Sequence, residues 1–225
     1  MKVKTALFLC FVTLIPLTGT AQFEGIIQSK NLSVDDLGVA HEYKMTIWVK
    51  KDFVRVTVPK IGVTPGSTVI YRMDSKISWV LNDDDRTFFE VALASLRGSQ
   101  EEVRPDPNAM EAPKVDLTKK KRKILGYDCE QIVITRGETV TEIWGAKKLE
   151  DLARVLHESL EPGHQGSMED DTIAKMGLFP LVSVLRYEGR ILESQEVTKI
   201  ERATLAGELF QIPEGYKKQK ALDEE

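Results

Sequence analysis

From Phe23 onward, short runs of alternating apolar and polar residues are separated by turn-forming residues. In His41–Val49, Tyr43, Met45, Ile47 and Val49 fall on one face, and Lys44, Thr46 and Trp48 on the other. In Phe53–Val58, Val54, Val56 and Val58 alternate with Arg55 and Thr57. A period of two marks strands with one buried face. The same pattern predicts strands at Phe23–Lys30, Ser67–Met73, Lys76–Leu81, Thr87–Leu93, Lys121–Leu125, Cys129–Arg136, Thr139–Ala146, Pro180–Glu188 and Ile191–Ile200, with a final piece near Leu209–Ile212. Asp74-Ser75, Asn82-Asp83-Asp84-Asp85, Gly137-Glu138 and Gly189-Arg190 lie between consecutive runs. Hairpins with no intervening helix imply antiparallel pairing.

One segment changes period. Leu149, Leu152, Ala153, Leu156 and Leu160 recur at helical spacing, with Glu150, Asp151, Arg154 and Glu158 between them. Pro162-Gly163 stops this helix. Ser167–Asp170 has the form of a capping box, opening a second short helix that ends at Gly177. About ten strands without βαβ alternation, plus these inserts, predict a mainly β fold with inserted helices. Its form is a large antiparallel sheet, curled or closed as a barrel, with the amphipathic helix against its concave face. Residues 97–117 carry Gly98, Pro105, Pro107 and Pro113, many charges and few apolar groups, which predicts a long mobile loop or a lid.

Residues 1–21 read differently. Lys2 and Lys4 precede a short apolar run from Thr5 to Leu17, and Gly19-Thr20-Ala21 follows. That is the form of a secretory signal peptide, cleaved between Ala21 and Gln22. The run is too short for a membrane span of ~20 residues. The expectation is one exported domain, 22–225, periplasmic or extracellular. Cys10 leaves with the leader, so Cys129 remains alone and cannot form an intramolecular disulfide. Burial in a strand is its expected state.

Net charge is −4, and loss of Lys2 and Lys4 makes it more negative, which excludes a nucleic-acid binder by bulk electrostatics. Three histidines and two cysteines leave little for a zinc site. His157 and His164 are separated by Pro162-Gly163, so no metal and no cofactor is expected. No nucleophile elbow, S-x-x-K or phosphate loop is present, so no catalytic residue is assigned. A hydrolase working through carboxylates such as Asp83-Asp84-Asp85 or Asp170-Asp171 stays as the enzymatic alternative. Lys119, Lys120, Lys121, Arg122 and Lys123 form a basic run. It suits a solvated loop or edge strand, or peripheral contact with anionic lipid. Asn31-Leu32-Ser33 is a glycosylation sequon, relevant only in a host that modifies exported asparagine. Met45, Ile47, Val56, Tyr71, Trp79, Phe89, Trp144, Leu152 and Leu156 are the candidates for lining an apolar ligand cavity. The same residues could instead form a filled core.

Three stretches carry a family resemblance: Gly126-Tyr127-Asp128-Cys129, Ile143-Trp144-Gly145-Ala146-Lys147-Lys148-Leu149, and Phe210-Gln211-Ile212-Pro213-Glu214-Gly215-Tyr216. With the leader, they resemble an uncharacterised family of exported bacterial domains, similar to the periplasmic lipoprotein carriers LolA and LolB. The resemblance implies a half-open barrel whose helices cover an apolar cavity. It also implies a binding protein for a lipid or lipidated partner, without catalysis. An envelope interaction module with a filled barrel is the alternative.

Overall fold

A computed structural model describes residues 22–35, 37–62, 64–93, 113–160, 173 and 175–219. Twelve strands form one sheet: β1 (Glu24–Val34), β2 (Ala40–Lys50), β3 (Phe53–Val58), β4 (Ser67–Arg72), β5 (Ile77–Asn82), β6 (Thr87–Ala92), β7 (Lys114–Ile124), β8 (Tyr127–Arg136), β9 (Thr139–Ala146), β10 (Phe179–Tyr187), β11 (Arg190–Arg202) and β12 (Lys217–Lys218). Their spatial order is β12-β6-β5-β4-β3-β2-β1-β11-β10-β9-β8-β7. Two antiparallel meanders, β1–β6 and β7–β11, are zipped together where β1 pairs with β11. The short β12 runs parallel to β6. The edges, β12 and β7, do not pair with each other, so the sheet stays open. A 3-10 turn, Lys147–Leu149, leads into helix α1 (Glu150–Leu160).

Why the sheet must curl follows from its core. One cluster joins Ile27, Ile47, Val49, Val54 and Tyr71 of β1–β4 to Cys129, Trp144, Ala146, Phe179, Leu181 and Val197 of β8–β11. Leu149, Leu152, Val155 and Leu156 complete it from the helical segment. In a flat sheet β4 and β8 would lie about 34 Å apart, at ~4.8 Å per strand. A helix is only about 10–12 Å across. A common cluster around α1 therefore requires the two wings to bend toward it. The helical leucines that set this geometry are withdrawn from water, each worth roughly 1.5–3 kcal/mol of transfer free energy.

The opposite face of the first meander has its own cover. The chain after β11 crosses it, and Leu205 and Phe210 pack with Ile70, Leu81 and Phe88. Backbone groups tie this strap down. The Leu205 N–H donates to Glu24 Oε1 at 2.7 Å, and Arg55 donates to the Leu209 carbonyl at 3.0 Å. Tyr216 donates to Asp83 Oδ1 at 2.6 Å.

The strap corrects one expectation. Leu209–Ile212 is not a strand; Gly207–Phe210 is a 3-10 turn, and the last pairing is made by Lys217 and Lys218. A short apolar run has no periodicity of its own, and Pro213 removes a ladder donor. β7 also starts earlier than expected, so Lys114–Leu117 belongs to a strand and not to a loop. Its alternation is hidden because most of its side chains are exposed and polar. The rest of the expected loop, 97–112, and the leader 1–21 lie outside the described residues. So does most of the second helix, although Ile173 and Lys175 are helical and Gly177 turns the chain at φ 63°.

Cys129 is fully buried in β8, and burial pushes its thiol pKa up. The thiolate is the reactive form, so the native protein is expected to resist alkylation by iodoacetamide near pH 8. Labelling should become rapid once denaturant opens the sheet. Fast labelling of the native state would show that this wing is open.

Candidate functional site

Residues directly opposed across a ladder share one face of the sheet. The register aligns Ile200, Ile27 and Ile47 across β11, β1 and β2. The same line continues through Val56, Val69, Val80 and Phe89 on β3–β6. An apolar rung therefore crosses seven strands on the face that carries α1. Ile27 and Ile47 lie in the helix-centred cluster, and Val56, Val69 and Ile200 pack against it. Val56, Val69, Val80 and Phe89 are only half-buried. The rung is thus sealed at its middle and open toward the β6 side.

Of the sequence-predicted cavity residues, Ile47, Tyr71, Trp144, Leu152 and Leu156 are members of this cluster, and Met45 and Val56 pack on it. Burial pushes the Tyr71 phenol pKa up. Trp144 donates to Glu142 Oε1 at 3.0 Å, and the Arg122 guanidinium lies 4.2 Å from the centre of its ring. Phe89 shares the face as the end of the rung. Trp79 does not join them. It is opposed by Ile70 and Glu90 and packs with the strap cluster on the other face. Its indole donates to Glu90 Oε2 at 2.9 Å, with the Arg72 guanidinium 5.2 Å from the ring centre. Both faces of the first meander carry apolar clusters, so apolar size alone could not tell which one Trp79 serves. Strand parity could: Ser78, not Trp79, is opposed to Tyr71.

The basic run lies on the edge strand β7. The pairing register breaks between Leu117 and Lys121, and Lys119 sits at φ 61°. Lys121 reaches Glu130 at 3.1 Å and Lys123 reaches Asp128 at 3.6 Å. A bulged, lysine-rich edge resists edge-to-edge pairing with another sheet. Among the described residues, no cluster of His, Cys, Asp and Glu could hold a metal ion.

A second feature of the helix face has no strong signal in the sequence. Toward the β1–β2 hairpin, the opposed sets change from Ile47–Ile27–Ile200 to Met45–Ser29–Val197, and then to Tyr43–Asn31–Gln195. Ser29 and Asn31 are 3% and 6% exposed, unusual burial for polar side chains. Asn31 Nδ2 donates to Ser29 Oγ at 3.0 Å. This burial also argues against glycosylation at the sequon, which needs an exposed asparagine. Tyr43 and Gln195 are half-buried beside it. Burial and the charge of Glu193 both raise the Tyr43 pKa, so its hydroxyl keeps its proton. Asn31 and Gln195 are far apart in sequence, and only the β1–β11 register brings them together.

Fold and site together define an open, curled, largely antiparallel sheet wrapped on helix α1, with an apolar rung grading into polar residues. The chain belongs to the family described as Domain of unknown function (DUF4412), whose model matches residues 23–216. No curated protein matches the chain. Among solved structures, an uncharacterized conserved protein from Thermus thermophilus is similar at 12% identity and TM-score 0.48, covering 87% of this chain and 90% of that one. PNGF-II is similar at 13% identity and TM-score 0.43, covering 89% of this chain but 32% of that one. A LolA superfamily protein from Nitrosomonas europaea is similar at 8% identity and TM-score 0.34, covering 85% and 91%. None reaches a TM-score of 0.5, so none bears on function.

Proposed function

We propose that this chain is an exported binding protein that holds a lipid, or the acyl chains of a lipidated partner, on the apolar rung beside α1, without catalysis. The observation that carries this is the half-buried state of Val56, Val69, Val80 and Phe89, aligned on the helix face. A continuous apolar row left partly open marks a surface that binds something apolar. Acyl chains fit it better than a flat partner does, because the curl makes the face concave. Export rests on the leader pattern of residues 1–21. No described helix is long and apolar enough to cross a membrane. Within this reading, Lys119–Lys123 would approach anionic headgroups, at about 1 kcal/mol per basic residue near the surface. The ion pairs of Lys121 and Lys123 reduce that contribution.

The test is native mass spectrometry of residues 22–225 purified from a bacterial periplasm, followed by organic extraction. A reproducible added mass that extracts as lipid is the expected result. A clean apo mass, with no uptake of added fatty acids or lipopeptides, would move the assignment to an envelope interaction module.

A further inference from the structure

We infer that edge strand β7 and its turn into β8 form a docking edge for an anionic lipid surface, with Val115, Leu117 and Leu125 entering the bilayer interface among lysines. The docking edge goes beyond the charge contact named above and does not depend on acyl uptake. The two edges of the sheet are treated differently. The β6 edge is closed by the chain itself, because Lys217 and Lys218 pair with Thr87 and Phe88. Among the described residues, no strand lies beyond β7. Sheets ordinarily cover or blunt such edges, and eleven residues of edge strand with apolar side chains in water call for a partner.

The side chains of β7 define that partner's chemistry. Residues 114–124 hold six cations and a single acid, Asp116. Lys121 and Lys123 pair with Glu130 and Asp128, but both pairs are exposed, so anionic heads can compete for these lysines. Lys114, Lys119 and Lys120 enter no ion pair among the described residues. Among these cations stand apolar groups: Leu117 is 55% exposed, Leu125 45% and Val115 39%. The register sets Val115, Leu117, Lys121 and Lys123 opposite Ile134, Ile132, Glu130 and Asp128, so all four share one face of the edge. On that face Ile132 and Ile134 pack with Ile173 and Leu178, in a cluster separate from that of α1. An anionic bilayer suits such a row, since it offers charged heads over hydrocarbon.

Backbone geometry disfavours a protein strand as the occupant. Between Leu117–Ile132 and Lys121–Glu130, three residues of β7 oppose one residue of β8, and Lys119 is left-handed at φ 61°. An added strand would therefore find no continuous register. A second copy of the same edge would set lysine against lysine. A bilayer surface needs no register. The chain as a whole is acidic, but a Debye length of about 8 Å at physiological salt screens remote carboxylates from the edge.

The experiment is co-sedimentation of residues 22–225 with vesicles of phosphatidylcholine, with and without one-third phosphatidylglycerol, at low and at high salt. The expected result is binding to the anionic vesicles only, lost at high salt. Lys119→Gln combined with Lys120→Gln should weaken that binding about 30-fold, the usual effect of two basic residues near an anionic surface. Leu117→Ser should weaken it about fivefold through the loss of apolar insertion. All three positions are exposed, so the variants are expected to fold, and circular dichroism checks this. Equal binding to both vesicles, binding to neither, or full binding by the double variant would overturn the docking edge. Full binding by Leu117→Ser would overturn the insertion of apolar groups. Vesicle binding by a chain that takes up no fatty acid would keep the edge and remove the carrier reading; uptake without vesicle binding would do the reverse.

Discussion

Phe210→Ala is expected to lower the unfolding free energy by about 3–5 kcal/mol, the range for a large buried aromatic truncated to a methyl. Phe210 is 1% exposed, the innermost residue of the strap. Its ring stands 5.7 Å from that of Phe53, and it packs in one cluster with Ile70, Leu81 and Phe88. Removing it leaves a cavity against strands that are held rigid by their ladders, so the surroundings collapse poorly. It also loosens the strap that Arg55 and Tyr216 tie to β3 and the β5–β6 turn. Domains of this size are stable by only about 5–15 kcal/mol, so the variant should unfold at much lower urea. Urea denaturation followed by tryptophan fluorescence measures it. A loss below about 1 kcal/mol would mean that the strap is peripheral and that the first meander stands without it.

That strap shows what the sequence could and could not reveal. The strands were legible because alternation is a local property: Phe53–Val58 and Thr139–Ala146 coincide with the observed elements. The helix was legible from its leucine spacing, and α1 buries Leu152 and Leu156 as that spacing predicts. Alternation says that a strand has two faces, but not which neighbours each face meets. Trp79 is the consequence, because the strap makes a second core on the face a one-sided sheet would leave wet. Leu205 and Phe210 gave no warning of this role, since a run without period packs wherever the chain leads it. The polar set Tyr43–Asn31–Gln195 was hidden for a related reason. Its members come from the two ends of the chain, and a bulge between Gln28 and Ser29 sets their register. No local pattern encodes that meeting.

The apolar rung offers the sharpest functional test. Val80→Asp is expected to reduce uptake of an acyl ligand about 100-fold or more, because a carboxylate in that row must be desolvated when a chain lies over it. Val80 is opposed by Val69 on one side and Phe89 on the other, so no neighbouring cation would compensate the charge within the rung. The position is half-buried, so in the free protein the new carboxylate keeps water and the fold should lose little. The adjacent residue supplies the control. Trp79→Phe removes the indole hydrogen bond to Glu90 on the opposite face, and should leave uptake unchanged. The two substitutions are neighbours in sequence and differ mainly in the face they address. Parallel loss in both would trace the defect to a damaged β5. Unchanged uptake in Val80→Asp would mean that no ligand lies on the rung, and the half-buried valines would then be the surface on which another protein docks.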